Sequence, residues 1–275
     1  MSSPALTPTV TPALTQAVFA AMAHAAATEI MPRWRSLVDG DVRTKTAEWD
    51  VVTDADVLAE KQLTAALREL LDIPVVGEEA TSARPELADL VAGADACWLV
   101  DPVDGTRNFV AGQEDFACMI ALVVGGRTEG AWITHPVVGR EIWGARGQGT
   151  FIDGSRVPTP VPANPDAPRG AIGARLFMDN ADEVYARAEK VGPTVDLRFC
   201  AGWDYYDVLT GDKDYVVFSR SLPWDHAPGG LLVTEAGLRV GRFDGSEYVP
   251  GDGRKGLLTA HPSIWEHVRD GLGLH

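Results

Sequence analysis

Three short segments of the 275-residue chain each end an apolar run in acid: Val75-Val76-Gly77-Glu78-Glu79, Trp98-Leu99-Val100-Asp101-Pro102-Val103-Asp104-Gly105-Thr106 and Leu222-Pro223-Trp224-Asp225. An apolar run that stops at a carboxylate reads as a strand presenting acid at its tip, where binding and catalytic side chains concentrate. Carboxylate oxygens are the ligands that hard divalent cations prefer. Asp101 and Asp104 are three residues apart with Pro102 stiffening the chain between them, so both can converge on neighbouring cations. Gly105 and Thr106 follow with free backbone N–H groups. A helix starting there would offer an anion site at its N-terminus. One segment could therefore hold both a metal and a phosphate.

Taken singly, each segment has a plainer reading. Asp104-Gly105 reads as a turn, Glu78-Glu79 as a solvated pair, and Asp225 as a helix cap. Three independent turns do not require three apolar runs ending in acid, so the co-occurrence favours a site. The aspartyl-phosphate arrangement of haloacid-dehalogenase-type phosphatases, Asp-x-Asp-x-Thr, is one residue shorter than Asp101-x-x-Asp104-Gly-Thr. Carboxylates two apart on an extended chain point the same way, whereas three apart they need a turn. A covalent mechanism is disfavoured on that ground.

The composition agrees with a globular enzyme: 45% hydrophobic, 23% charged, formal net charge −15. Such acidity opposes binding to nucleic acid and to anionic membrane surfaces. An anionic substrate would need a cation between itself and the protein. Cys97, Cys118 and Cys200 are odd in number and form no Cys-x-x-Cys, which argues against a disulfide framework or a structural zinc site and predicts a reducing, cytoplasmic setting. No Lys or Arg precedes Arg33, so a signal peptide is not expected, and no run reaches the roughly 18 apolar residues of a membrane span.

The elements that must position these acids can be traced along the chain. Residues 1–12 read as a loose tail, and periodicity predicts helices over 15–34 and 54–71, the second capped by Asp54. Strands are predicted at 116–124, 130–134, 141–145 and 149–152. The proline-rich stretch 158–168 reads as a surface loop. Beyond it, helices are predicted near 181–191, 203–210 and 224–236, with strands at 215–218, 238–243 and 257–260. This mixture predicts a layered α/β (α+β) architecture. Residues 1–155 form an N-terminal half carrying most of the acids, and 156–275 a C-terminal half supplying Asp225 and a substrate pocket, as one catalytic unit.

Four motifs in order resemble those of the inositol monophosphatase family: Asp50-Val51-Val52-Thr53-Asp54-Ala55-Asp56, Gly77-Glu78-Glu79, Trp98 to Phe109, and Trp224-Asp225-His226-Ala227-Pro228-Gly229-Gly230. The resemblance implies an α/β/α/β/α sandwich and Mg²⁺-dependent hydrolysis of a small phosphate monoester by direct water attack, with two or three ions. It implies that Glu78, Asp101 and the Val103 carbonyl hold one Mg²⁺, and that Asp101, Asp104 and Asp225 hold a second. It implies that Thr106, supported by Asp56, orients the water, that the Gly105 and Thr106 N–H groups hold phosphate, and that Lys45 lies near the site. A homodimer is also implied. Inositol monophosphate is the first substrate suggested, with histidinol phosphate, adenosine bisphosphate and fructose bisphosphate as alternatives. A catalytically silent metal-binding protein would be expected to have lost an acid or Thr106, and neither is lost.

The chain departs from the family at Phe218, where relatives often carry a substrate-binding acid seven residues before the aspartate that Asp225 matches. Phenylalanine cannot accept a hydrogen bond from a sugar hydroxyl. Ala201, Asp204 and Arg220 are the expected replacements in the leaving-group pocket. Tyr205 and Tyr206 are expected to pack in the core or an interface, Arg107 to lie on the surface, and His226 to act structurally, since Mg²⁺ prefers oxygen.

Overall fold

Nine consecutive buried residues, Ala96–Asp104, make the strand on which the fold is built. In chain order the helices of the computed structural model are α1 Pro12–Ala25, α2 Asp54–Leu70, α3 Glu78–Ala83, α4 Asp89–Gly93, α5 Thr106–Val110, α6 Ala181–Val191, α7 Ala201–Thr210, α8 Pro223–Glu235 and α9 Pro262–Leu272. The strands are β1 Val42–Thr44, β2 Val51–Thr53, β3 Val75–Gly77, β4 Ala96–Asp104, β5 Ala117–Val124, β6 Arg127–His135, β7 Arg140–Ala145, β8 Gly149–Ile152, β9 Ser155–Arg156, β10 Gly170–Gly173, β11 Tyr215–Phe218, β12 Arg239–Gly241 and β13 Leu257–Ala260. Residues 8–38, 40–45, 51–174 and 178–275 are described. Asp50 of the first motif and the first seven residues of the predicted tail lie outside them.

Strands β3 to β9 form a seven-stranded sheet in sequence order, and β10-β11-β13-β12 form a four-stranded one. Alternation along β5 assigns the layers. Cys118, Ile120 and Leu122 face α1 and α2, packing with Val18, Met22, Leu63 and Leu67. Ala117 and Met119 face the other way, onto Trp203, Tyr205 and Val208 of α7 and Leu231 and Leu232 of α8. Val216, Phe218 and Leu257 close that middle layer from the smaller sheet, whose far face carries α6 and α9 through Val184, Ile264, Trp265 and Val268. The result is the layered α/β/α/β/α arrangement.

Several boundaries differ from expectation for local reasons. The tail is already structured at Val10, which is buried and whose carbonyl accepts from Gln148 Nε2 at 3.0 Å. Helix α1 starts at Pro12 because Thr11 Oγ1 accepts from the Leu14 N–H at 3.1 Å, and its last turn widens into π-helix over Ala26–Ile30. Thr53, not Asp54, caps α2: its hydroxyl accepts from the Ala55 N–H, and Asp56 reaches back to the Thr53 N–H at 2.8 Å. Helix α9, amphipathic around Ile264, Trp265 and Val268, was not anticipated.

His135, at the end of β6, is buried and stacked on Trp203 of α7 with ring centroids 3.9 Å apart and planes 6° from parallel. Burial lowers its pKa from 6.5 to about 3. The unfolded chain therefore binds the proton more readily. The contribution of His135 to stability is complete above about pH 6.5 and is lost as pH falls toward 3. His135→Phe keeps a stackable ring without the titration. Thermal midpoints measured at pH 6.5, 5.5 and 4.5 should fall less steeply for this variant than for the parent; parallel curves would remove His135 from the account.

Candidate active site

Residues three apart on a regular strand point to opposite faces, yet Asp101 and Asp104 border the same cavity. The pairing explains it. Asp101 lies opposite Met119 and Asp104 opposite Ala117, so β4 uses one residue more than β5 between them. This β-bulge at Pro102-Val103, rather than the expected turn, brings both carboxylates to one side. The parallel register of β3 with β4 places Gly77 beside Val100 and so delivers Glu78 next to Asp101. Asp225 arrives from the first turn of α8, which packs on the same sheet.

These four acids, with Val103, Gly105, Thr106, Arg107 and Arg220, wall a cavity of about 150 Å³. Burial first, and then the charges of Glu78 and the neighbouring aspartates, push the Asp101 and Asp225 carboxyls well above the usual carboxylate range. Asp104 is pushed up to about 6 by burial, against the hydrogen bonds it accepts. It accepts the Gly202 N–H at 2.6 Å and the Cys200 thiol at 3.0 Å, both from the start of α7. A Cβ on Gly202 would sit 2.7 Å from that of Ala117, so only glycine brings this N–H so close.

Thr106 Oγ1 lies 3.1 Å from Asp56 Oδ1 and 3.0 Å from the Val103 carbonyl oxygen. One hydroxyl hydrogen serves one of these acceptors at a time. Burial raises Asp56 to about 6, against its bonds from Thr53. Gly105 precedes Thr106 at φ +83°, and a Cβ there would meet Asp115 O and Cys200 Cβ at 3.0 Å. Lys45 Nζ donates to Glu78 Oε1 at 2.9 Å and to Glu79 Oε1 at 2.6 Å. Burial opposes the charge on Lys45, but the two glutamates outweigh it and raise the pKa.

Among the described residues no three His, Cys, Asp or Glu side chains close on one point as a finished cation cage. The acids wall the cavity instead, and Lys45 draws one oxygen of Glu78 aside. They share one cavity, and the charge of Glu78 beside Asp101 and Asp225 raises both of those carboxyls further. The donor set is all oxygen and strongly anionic, which fits a hard divalent cation.

The expected substrate residues separate. Arg220 borders both this cavity and a second of about 580 Å³, which Ala201, Asp204, Phe199 and Phe218 also line. Asp204 is buried and ion-paired to Lys213, and it accepts the Arg198 N–H at 3.1 Å. Its carboxylate thus anchors α7. Arg107 is exposed at the cavity rim. His226 is buried with Nδ1 3.1 Å from Tyr205 Oη, and burial lowers its pKa to about 3, so it is a neutral structural group. Tyr205 is core, as expected.

The family model for the inositol monophosphatase family matches residues 12–270. The chain belongs to this family. It is 34% identical to the Nus factor SuhB of Pseudomonas aeruginosa over 72% of this chain and 74% of that protein. It is 28% identical to a fructose-1,6-bisphosphatase/inositol-1-monophosphatase of Thermotoga maritima, over 75% and 77%. In fold it is similar to a Thermotoga maritima IMPase structure, with a TM-score of 0.80, 24% identity, and 96% and 97% of the chains covered. Like the family, this chain is a phosphatase.

Sequence reasoning missed Glu60. Its carboxylate accepts the Glu79 N–H at 2.7 Å and the Ala80 N–H at 2.8 Å, fixing the start of α3 and with it Glu78. Its only sequence signal was an acid on the buried side of α2. Glu60→Gln loses one of the two acceptors in a buried place, a cost of about 1–3 kcal/mol. Calorimetry should show a thermal midpoint several degrees lower, by roughly 2–4 °C per kcal/mol for a chain of this size. An unchanged midpoint would mean that the bond lost adds nothing to stability.

Proposed function

We propose that this phosphatase hydrolyses a small phosphate monoester with Mg²⁺ as cofactor, by direct attack of water. The observation that carries the reading is the convergence of Glu78, Asp101, Asp104 and Asp225, from three separate segments, on one cavity beside Thr106. Glu78, Asp101 and the Val103 carbonyl, and then Asp101, Asp104 and Asp225, would hold the ions. Bound there, Mg²⁺ supplies positive charge against the phosphate oxygens and the developing charge on the leaving oxygen.

The chain's own groups have defined tasks in this reading. Asp56 accepts the Thr106 hydroxyl hydrogen, which turns a lone pair of Thr106 Oγ1 outward to accept a proton from water. The proton moves from water to Thr106 Oγ1 as the Thr106 hydrogen moves to Asp56 Oδ1. The capping bonds from Thr53 hold Asp56 in place for this. The Gly105 and Thr106 N–H groups orient the phosphate. Lys45 and Glu60 set the direction of Glu78, one through the side chain and one through the backbone. The bonds from Gly202 and Cys200 keep Asp104 ionisable within the fold.

Asp104→Asn keeps the shape and removes one charge from the cation site. Phosphate release from a panel of monoesters should fall by at least about 100-fold, the order seen when a preorganised electrostatic group is removed, with circular dichroism unchanged. Retention of near-full Mg²⁺-dependent turnover would sink the assignment. Chelation should abolish release in the parent enzyme. Excess Mg²⁺ should raise its thermal midpoint, because a ligand bound only by the folded state stabilises it.

A further inference from the structure

We propose that the alcohol released by this enzyme is a flat, largely apolar ring rather than a polyhydroxylated one, and that Phe199 and Phe218 select it. The inference rests on the phosphatase reading above and concerns the 580 Å³ cavity that opens from the cation site past Asp104, Arg220 and Asp225. Its described walls are apolar at Ile172, Leu197, Phe199 and Phe218.

The polar side chains that reach this cavity are mostly committed elsewhere. The Tyr185 hydroxyl donates to the Ile172 carbonyl at 2.6 Å, and Ser219 donates to the Gly173 carbonyl. His226 faces Tyr205, and Asp204 is held by Lys213. Thr194 and Asp196 are exposed at the rim, and Arg220 stands at the phosphate end beside Asp225. With the Tyr185 and Ser219 hydrogens given to carbonyls, the hydroxyls of a polyol ring would find few side-chain donors among the described walls beyond Thr194 and Arg220, and those left over would be unpaired. Each such group weakens binding by about tenfold.

Phe199 supplies an independent observation. Among the described residues it is one of three non-glycine residues with positive φ, at +54°, and it is 64% exposed where the two cavities meet. A bulky side chain in the left-handed region is strained, and such strain persists where the surroundings impose it, commonly at ligand clamps. Phe218 forms the inner wall, its ring 4.6 Å from that of His226 and 5.1 Å from that of Tyr205. An aromatic leaving group would lie between an exposed ring and a fixed one.

The test compares 1-naphthyl phosphate with inositol 1-phosphate on the Mg²⁺-loaded enzyme. The expected kcat/KM ratio is at least about tenfold in favour of the naphthyl ester, one unpaired hydroxyl's worth. A ratio of one or below overturns the inference while leaving the phosphatase reading intact. Phe199→Ala, at an exposed position outside the core, should lower that ratio by about tenfold, the upper range of one aromatic pair. An unchanged ratio removes Phe199 as a selector and overturns the proposal. If neither of these esters nor any other monoester of the panel is hydrolysed, the reading of Mg²⁺-dependent monoester hydrolysis fails. Saturation-transfer NMR with 1-naphthol and myo-inositol then decides the pocket: naphthol binding that Phe199→Ala abolishes supports it, and no naphthol binding overturns it.

Discussion

Mutual repulsion among buried carboxylates is the constraint around which this protein is organised. Asp101, Asp104 and Asp225 are withdrawn from water beside Glu78, and burial together with neighbouring charge raises the pKa of each aspartate. Like charges held this close oppose the folded state, and a core of apolar residues in their place would be more stable. The fold holds them by rigid means. A bulge in a central strand turns two of them together, a parallel register delivers the third beside them, and the first turn of a buried helix supplies the fourth. The four acids are thereby set on paired strands and the first turns of helices rather than on loops.

A ring of partners outside the cavity makes this arrangement tolerable. Gly202 and Cys200 donate to Asp104, Lys45 spans Glu78 and Glu79, and Glu60 holds the backbone at the start of the helix that bears Glu78. Asp56 serves two ends at once: one oxygen completes the cap of α2 and the other accepts from Thr106. A helix cap and a hydrogen-bond acceptor for Thr106 are thus one carboxylate, which links the start of α2 to that hydroxyl. The Lys213 ammonium between Asp204 and Asp207, with Arg198 beside Asp207, ties down the helix that presents Gly202.

The two cavities share Asp104, Phe199, Arg220 and Asp225 but differ in character. The smaller is charged and has backbone and carboxylate oxygens on its walls. The larger has apolar walls at Ile172, Leu197, Phe199 and Phe218, with the Tyr185 and Ser219 hydroxyls and the Asp204 carboxylate turned to other partners. The cluster of acids and the apolar walls are therefore separate in space. The first is built from segments whose motifs the family shares, and the second from side chains that the motifs do not contain.

That separation matches what could be read at each level. Glu78, Asp101, Asp104, Asp225 and Thr106 were legible in the sequence because each follows directly from an apolar run, and local spacing encodes where a strand or helix presents its end. The layered fold was legible for the same reason: the continuous apolar run along 116–124 with its following turn and the helical spacing along 54–71 are local patterns. The cap at Thr53 instead of Asp54, the packing of Val10 and the helix at Pro262–Leu272 were not, because each depends on a partner far along the chain or on the choice between adjacent capping groups. Nor could sequence show that Glu60 would grip α3, that Gly202 and Cys200 would reach Asp104 from 98 and 96 positions away, or that Asp204 would be spent on Lys213. The sequence by itself determined which residues could bind cations and which segments would carry them. Only the tertiary structure decided which partners steady those residues and which side chains line the cavity beside them, because such contacts join distant segments whose approach is set by packing rather than by any local pattern.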